Sequence, residues 1–231
     1  MPSSTTTSQL ALPLALVVVL LVSACQTTDD RNASASASET MHWRCQEVGV
    51  ASIYADNGEH VTLAFSGREL RLPIAISASG ARYADAIGNE FWTKGDTGTL
   101  SLAAESGSET ASRECTRSDR PSPWYRAAER GVGFRAVGNE PGWFVEVDGG
   151  ENPTLRATLD YGERKLELAR TESLDGTPPG FSGETADGTG VLLLIERTPC
   201  RDGMSGELFE AGATLEVGAR RYHGCGAFLS D

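Results

Sequence analysis

Three groups of residues in this 231-residue chain could carry chemistry: five cysteines, a serine and a lysine in the first half, and an aspartate, serine and histidine in the second. The serine and lysine stand in Ser79-Gly80-Ala81-Arg82-Tyr83 and Phe91-Trp92-Thr93-Lys94-Gly95-Asp96. A hydroxyl both donates and accepts, and an ammonium is a compact charge on a long stem, while Ser79-Gly80 also reads as a plain turn and Lys94 beside Gly95-Asp96 as a solvated hairpin tip. Asp202, Ser205 and His223 are the residue types of a hydrolase, and an esterase-like reading predicts loss of activity on His223→Ala with the fold intact. However, no Gly-x-Ser-x-Gly elbow occurs, and Met204-Ser205-Gly206 reads equally well as a turn.

The cysteines divide by position. Cys25 closes an apolar run that starts at Leu10 and ends in Leu21-Val22-Ser23-Ala24-Cys25. That run, interrupted by Pro13, is shorter than the ~20 residues a membrane span needs. We read it as a lipoprotein signal, over a plain cleaved signal or an anchor helix: residues 1–24 are removed and Cys25 becomes a lipid-modified N-terminus. Residues 25–40, rich in Ser, Thr and Ala, then form a flexible tether. In bacterial lipoproteins a residue other than Asp after the cysteine, here Gln26, goes with delivery to the outer membrane. The expected location is therefore the outer membrane, lipid-anchored and facing the periplasm. In such an oxidising compartment Cys45, Cys115, Cys200 and Cys225 form an even set, read as the disulfides Cys45–Cys115 and Cys200–Cys225. Metal ligation and a redox pair are the alternatives. No C-x-x-C spacing supports them, and His42, His60 and His223 are scattered.

Elements must hold these residues in place. Val61, Leu63 and Phe65 alternate with Thr62, Ala64 and Ser66, and Leu70, Leu72 and Ile74 with Arg71 and Pro73, the period of half-buried strands. Asp56-Asn57-Gly58, Ser66-Gly67, Gly88-Asn89 and Gly95-Asp96 punctuate them as turns. The second half repeats the pattern in Phe144–Val147, Thr154–Asp160, Lys165–Ala169, Gly190–Glu196 and Thr214–Val217. The expected fold is all-β throughout, a barrel or sandwich in the first half and a second small antiparallel domain. We place the boundaries at residues 41–118, a linker at 119–133 with a short helical turn near Tyr125, and residues 134–231. A net charge of −12, concentrated after Phe134, disfavours nucleic acid and anionic membrane surfaces and favours cationic partners.

The two motifs around Ser79 and Lys94, in that order and between Cys45 and Cys115, resemble the membrane-bound and periplasmic inhibitors of c-type lysozyme over Trp43–Cys115. The resemblance implies an eight-stranded antiparallel barrel that binds c-type lysozyme and inserts a loop into its cleft. It also implies that Ser79 and Lys94 reach the catalytic acids, that Tyr83 and Arg82 are their neighbours, and that the protein is not an enzyme and needs no cofactor or metal. The second half looks like an uncharacterised module of envelope lipoproteins. A competing reading is a non-inhibitory binding or structural lipoprotein whose C-terminal domain recognises a cell-wall or small-molecule ligand.

Overall fold

Period-two alternation builds the first sheet. In β3 (His60–Phe65) the side chains of Val61, Leu63 and Phe65 are buried, and the residues between them are partly exposed. The computed structural model describes residues 1–4, 39–55, 57–103 and 111–229. Most of the expected signal peptide, the lipidation site Cys25 and the tether up to residue 38 lie outside the described residues.

Seven further strands accompany β3: β1 (Glu39–Cys45), β2 (Val48–Tyr54), β4 (Arg68–Ala75), β5 (Ala81–Ala84), β6 (Glu90–Lys94), β7 (Thr97–Leu102) and β8 (Ala111–Arg117). Each pairs antiparallel with the next, and β1 pairs with β8 to close an eight-stranded barrel. Cys45 stands opposite Cys115 in that closing pair, and the two form a disulfide. Trp43, Val50, Leu63, Leu72, Phe91 and Leu100 fill the interior. The indole N–H of Trp43 donates to Ser52 Oγ at 2.9 Å, so this buried donor is satisfied.

Alternate turns of an up-and-down barrel share an end. The turns after β1, β3 and β5 gather at one end, and those after β2, β4 and β6 at the other. Residues 119–133 contain α1 (Pro123–Glu129), which starts where Ser122 Oγ accepts from the Trp124 amide at 3.2 Å and Pro123 occupies the first turn.

The second half is an antiparallel sheet of nine strands, more than the five segments legible in the sequence. In chain order these are β9 (Val132–Asn139), β10 (Gly142–Asp148), β11 (Leu155–Leu159), β12 (Arg164–Leu168), β13 (Glu172–Leu174), β14 (Gly180–Glu184) and β15 (Gly190–Glu196). A short pair follows, β16 (Cys200–Arg201) with β17 (Leu208–Phe209), and then β18 (Ala211–Val217) and β19 (Arg220–Phe228). The spatial order is β12-β11-β10-β9-β19-β18-β15-β14-β13, so the last strand lies between β9 and β18. Phe134, Val145, Leu155, Leu193 and Leu215 centre its core. The Cys200–Cys225 disulfide ties the β16–β17 pair to β19. Among the described residues no helix is long and apolar enough to cross a membrane.

The second sheet packs on the barrel end that carries the Ser66-Gly67 turn. Gly67 has φ +74°, and a Cβ there would come within 2.1 Å of Ala227 Cβ, so only glycine allows this approach. Beside it Ser66 is hydrogen-bonded to the carboxyl of Glu207.

Candidate functional site

Ser79 and Lys94 come together at the opposite end of the barrel. Ala81 of β5 pairs with Thr93 of β6, and Lys94 pairs with Thr97 across the Gly95-Asp96 turn. Extending this register by one residue sets Gly80 beside Lys94. A Cβ at Gly80 would lie 2.2 Å from Thr93 O and 3.4 Å from Lys94 Cβ. With φ at +72° as well, the position admits only glycine. Thr97 Oγ1 donates to Lys94 O at 3.2 Å and secures the hairpin. Ser79 and Lys94 are both exposed, and among the described residues the hydroxyl and the ammonium have no partner. Ile74 and Ile76, 58% and 95% exposed, add an apolar rim on the same side.

The neighbours named from the sequence take different positions. Tyr83 is 4% exposed, stands opposite Phe91 in the barrel core, and its ring lies 5.8 Å from that of Tyr54. Burial first, then Tyr54, pushes its hydroxyl pKa up, so it stays neutral. Arg82 faces outward. Its Nε donates to Glu90 Oε2 at 2.7 Å and its Nη1 to Ile76 O at 3.2 Å.

Trp92 was not singled out by sequence reasoning, yet its indole N–H donates to Ser79 O at 2.9 Å. The available signal was its place between buried Phe91 and Thr93, which turns it to the outer face, where it is 40% exposed. At the far end, Asp85 Oδ1 accepts from the amides of Ile87, Gly88 and Asn89 at 2.9–3.0 Å. The residues between β5 and β6 are thus closed into a turn that leaves the register of Ala81 with Thr93 untouched.

In the second half, Asp202 and Ser205 share one tight turn. Asp202 Oδ1 accepts from Ser205 Oγ at 2.8 Å and from the amides of Ser205 and Met204, and Asn139 Nδ2 donates to Oδ2 at 2.7 Å. Burial opposes ionisation of this carboxyl, but these hydrogen bonds outweigh it and hold its pKa below the usual range. The ring of His223 meets Thr214 Oγ1 at 3.1 Å instead. Asp202 and Ser205 therefore form a turn, and the histidine is engaged elsewhere. Trp143 is buried and donates to His223 O at 3.1 Å, a packed aromatic at a strand start. Among the described residues no group of three or more His, Cys, Asp or Glu is placed to hold a metal ion.

Comparison with known proteins falls on the barrel. The model of the family described as membrane-bound lysozyme-inhibitor of c-type lysozyme matches residues 43–109. A membrane-bound lysozyme inhibitor of C-type lysozyme from Yersinia enterocolitica is 31% identical over 84 residues, 36% of this chain and 66% of that protein. Its counterpart from Escherichia coli K12 is 30% identical over 87 residues, 38% of this chain and 78% of that protein. The chain thus spans about two thirds of the first relative's length and more of the second's. No solved structure matches the chain.

Proposed function

The chain belongs to the family of membrane-bound inhibitors of c-type lysozyme, and from that premise we propose that its barrel inhibits c-type lysozyme by inserting the Ser79 turn and Lys94 into the catalytic cleft. The observation that carries this reading is the meeting of the two motifs at one rim, with Lys94 Cβ in contact distance of Gly80 and both polar heads unpartnered.

Such lysozymes use a protonated carboxyl and an ionised one in a cleft that partly excludes water. The Lys94 ammonium placed between them pairs with the carboxylate and favours ionisation of the acid, so the proton needed by the leaving group is lost. The Ser79 hydroxyl donates to one carboxyl or accepts from the other. Arg82 and Tyr83 stand next to this pair, Arg82 behind the turn and Tyr83 beneath it. The site lies at the end of the barrel away from the second sheet, which leaves the approach open to a partner of lysozyme's size. An acidic chain of net charge −12 is also steered toward a cationic enzyme.

The same proposal keeps Cys25 as a lipid anchor after removal of residues 1–24, residues 25–40 as tether, residues 41–118 and 134–231 as two domains, and the outer membrane, facing the periplasm, as the location. The names of the relatives, which include membrane-bound, support a membrane association. In this role the protein has no catalytic function.

The test is the initial rate of a c-type lysozyme on cell walls, titrated with the chain lacking residues 1–25. Dose-dependent inhibition that Ser79→Ala and Lys94→Ala both weaken supports the reading. No inhibition at micromolar protein with both disulfides formed overturns it, in favour of an envelope binding module.

A further inference from the structure

The turn that carries Ser79 is held by side chains on the barrel's outer face and by one within the turn, and the inhibitory reading names only Arg82 among them, as a neighbour. Three successive anchors act on it. Trp92 Nε1 donates to Ser79 O at 2.9 Å, Ser77 Oγ donates to Gly80 O at 3.0 Å, and Arg82 Nη1 donates to Ile76 O at 3.2 Å. Arg82 is itself fixed by Glu90, with Nε 2.7 Å and Nη2 2.6 Å from Oε2. Arg82 and Trp92 stand directly opposite one another across β5 and β6, and Glu90 lies two residues before Trp92 on the same face. These three side chains therefore form one bracket on the barrel's outer surface. It occupies the backbone carbonyls of Ile76 and Ser79 and leaves the Ser79 hydroxyl free.

A hydrogen bond to a mobile surface turn is weak in isolation, because water competes for the same groups. Its effect on binding is larger when the turn must hold one shape. If only a fraction of molecules presents the competent turn, the apparent dissociation constant rises by the inverse of that fraction. Ordering the turn in advance removes that loss.

We propose that Trp92, backed by Arg82 and Glu90, is a positioning residue that fixes the Ser77–Gly80 turn so that the Ser79 hydroxyl and Lys94 ammonium meet the enzyme in one geometry. The functional part of this inference rests on the lysozyme reading above, whereas the ordering of the turn does not. Trp92 lies outside the barrel core, so replacing it with Phe removes the N–H while keeping a ring on the same face.

Residues from Ser36 onward form a compact unit of their own, which suits measurement of backbone 15N order parameters alongside inhibition. In Trp92→Phe the order parameters at Ser79 and Gly80 fall while the thermal midpoint stays at the parent's value. Inhibition by Trp92→Phe weakens about tenfold, the effect of a competent fraction reduced to about a tenth. In a Ser79→Ala background the same substitution changes inhibition less than about twofold, since the group being placed is gone. Glu90→Gln, which loosens Arg82 without touching Trp92, lowers order at Ser77 and weakens inhibition in the same Ser79-dependent way. A turn that stays ordered in both variants overturns the inference. So does an equal loss in both Ser79 backgrounds, which would make Trp92 a direct contact. A parent chain that fails to inhibit removes the lysozyme reading alone, and the order parameters then still decide whether the bracket holds the turn.

Discussion

Lys94 has an exposed ammonium with no carboxylate partner among the described residues, so it gives up no existing ion pair on entering a site lined by acids. Truncating one member of a desolvated charge pair costs about 2 kcal/mol or more, and Lys94→Ala is expected to weaken lysozyme inhibition by about 30-fold. Unchanged inhibition constants in a cell-wall assay would place Lys94 outside the cleft. Gly80 acts differently, through backbone shape. A methyl group at φ +72° and 2.2 Å from Thr93 O cannot be accommodated in place, and Gly80→Ala is expected to cost about 1–3 kcal/mol of stability and to displace Ser79. Its urea midpoint and its inhibition constant should both worsen. A variant that loses neither would show the turn to be freely adaptable. The sequence showed Ser79 and Lys94 as residues of interest, and alternation around Phe91 made Trp92 an outward side chain. That the Trp92 N–H meets the Ser79 carbonyl depends on how the β4–β5 turn folds over β6, which no spacing rule contains.

The closure of β1 on β8 is the least local pairing in the barrel, and Cys45–Cys115 sits within it at a sequence separation of 70. Cys200–Cys225 closes a separation of 25. In the chain-entropy account the stabilisation grows with the logarithm of the loop. Removing the first disulfide is therefore expected to cost about 0.9 kcal/mol more than removing the second, within a range of about 2–5 kcal/mol for each. Urea titrations of the Cys45→Ala/Cys115→Ala and Cys200→Ala/Cys225→Ala double variants test this, and a reversed order would sink the entropic account for this protein. Strands β3 and β15 were legible because their apolar residues alternate cleanly. β14, Gly180-Phe181-Ser182-Gly183-Glu184, offers no such alternation, and β16 and β17 have two residues each. Those strands exist because neighbouring strands supply their hydrogen bonds, so local sequence carries little trace of them.

At the scale of the whole molecule, the junction between barrel and second sheet contains a buried carboxyl. Glu207 is 8% exposed and hydrogen-bonded to Ser66, with Arg68, Arg113 and Asp202 as the nearby charges. Burial pushes its pKa from 4.5 up to about 7, while the two arginines pull it down and Asp202 raises it. In the folded state it keeps its proton up to about pH 7, whereas in the unfolded chain it loses it near 4.5. Its contribution to stability is therefore fully present below about pH 4.5 and lost as pH rises to about 7, a swing on the order of 3 kcal/mol. Glu207→Gln, which cannot ionise, is expected to flatten the stability profile between pH 5 and 8 and to raise the melting temperature at pH 8. A variant with the parent's pH profile would remove Glu207 as the source of the slope.

The amino-acid sequence by itself determined the class of the fold and the pair of motifs, since the first rests on local periodicity and the second on residue types within short segments. Only the tertiary structure decided that Tyr83 faces the core, that β19 inserts between β9 and β18, and that Glu207 meets a serine 141 positions away. It also decided that the Ser79–Lys94 rim points away from the second sheet. These are matters of register and of which barrel end each turn occupies. They are set by the closing of β1 onto β8 and by the Gly67–Ala227 approach, contacts between distant parts of the chain that leave no mark on either segment alone.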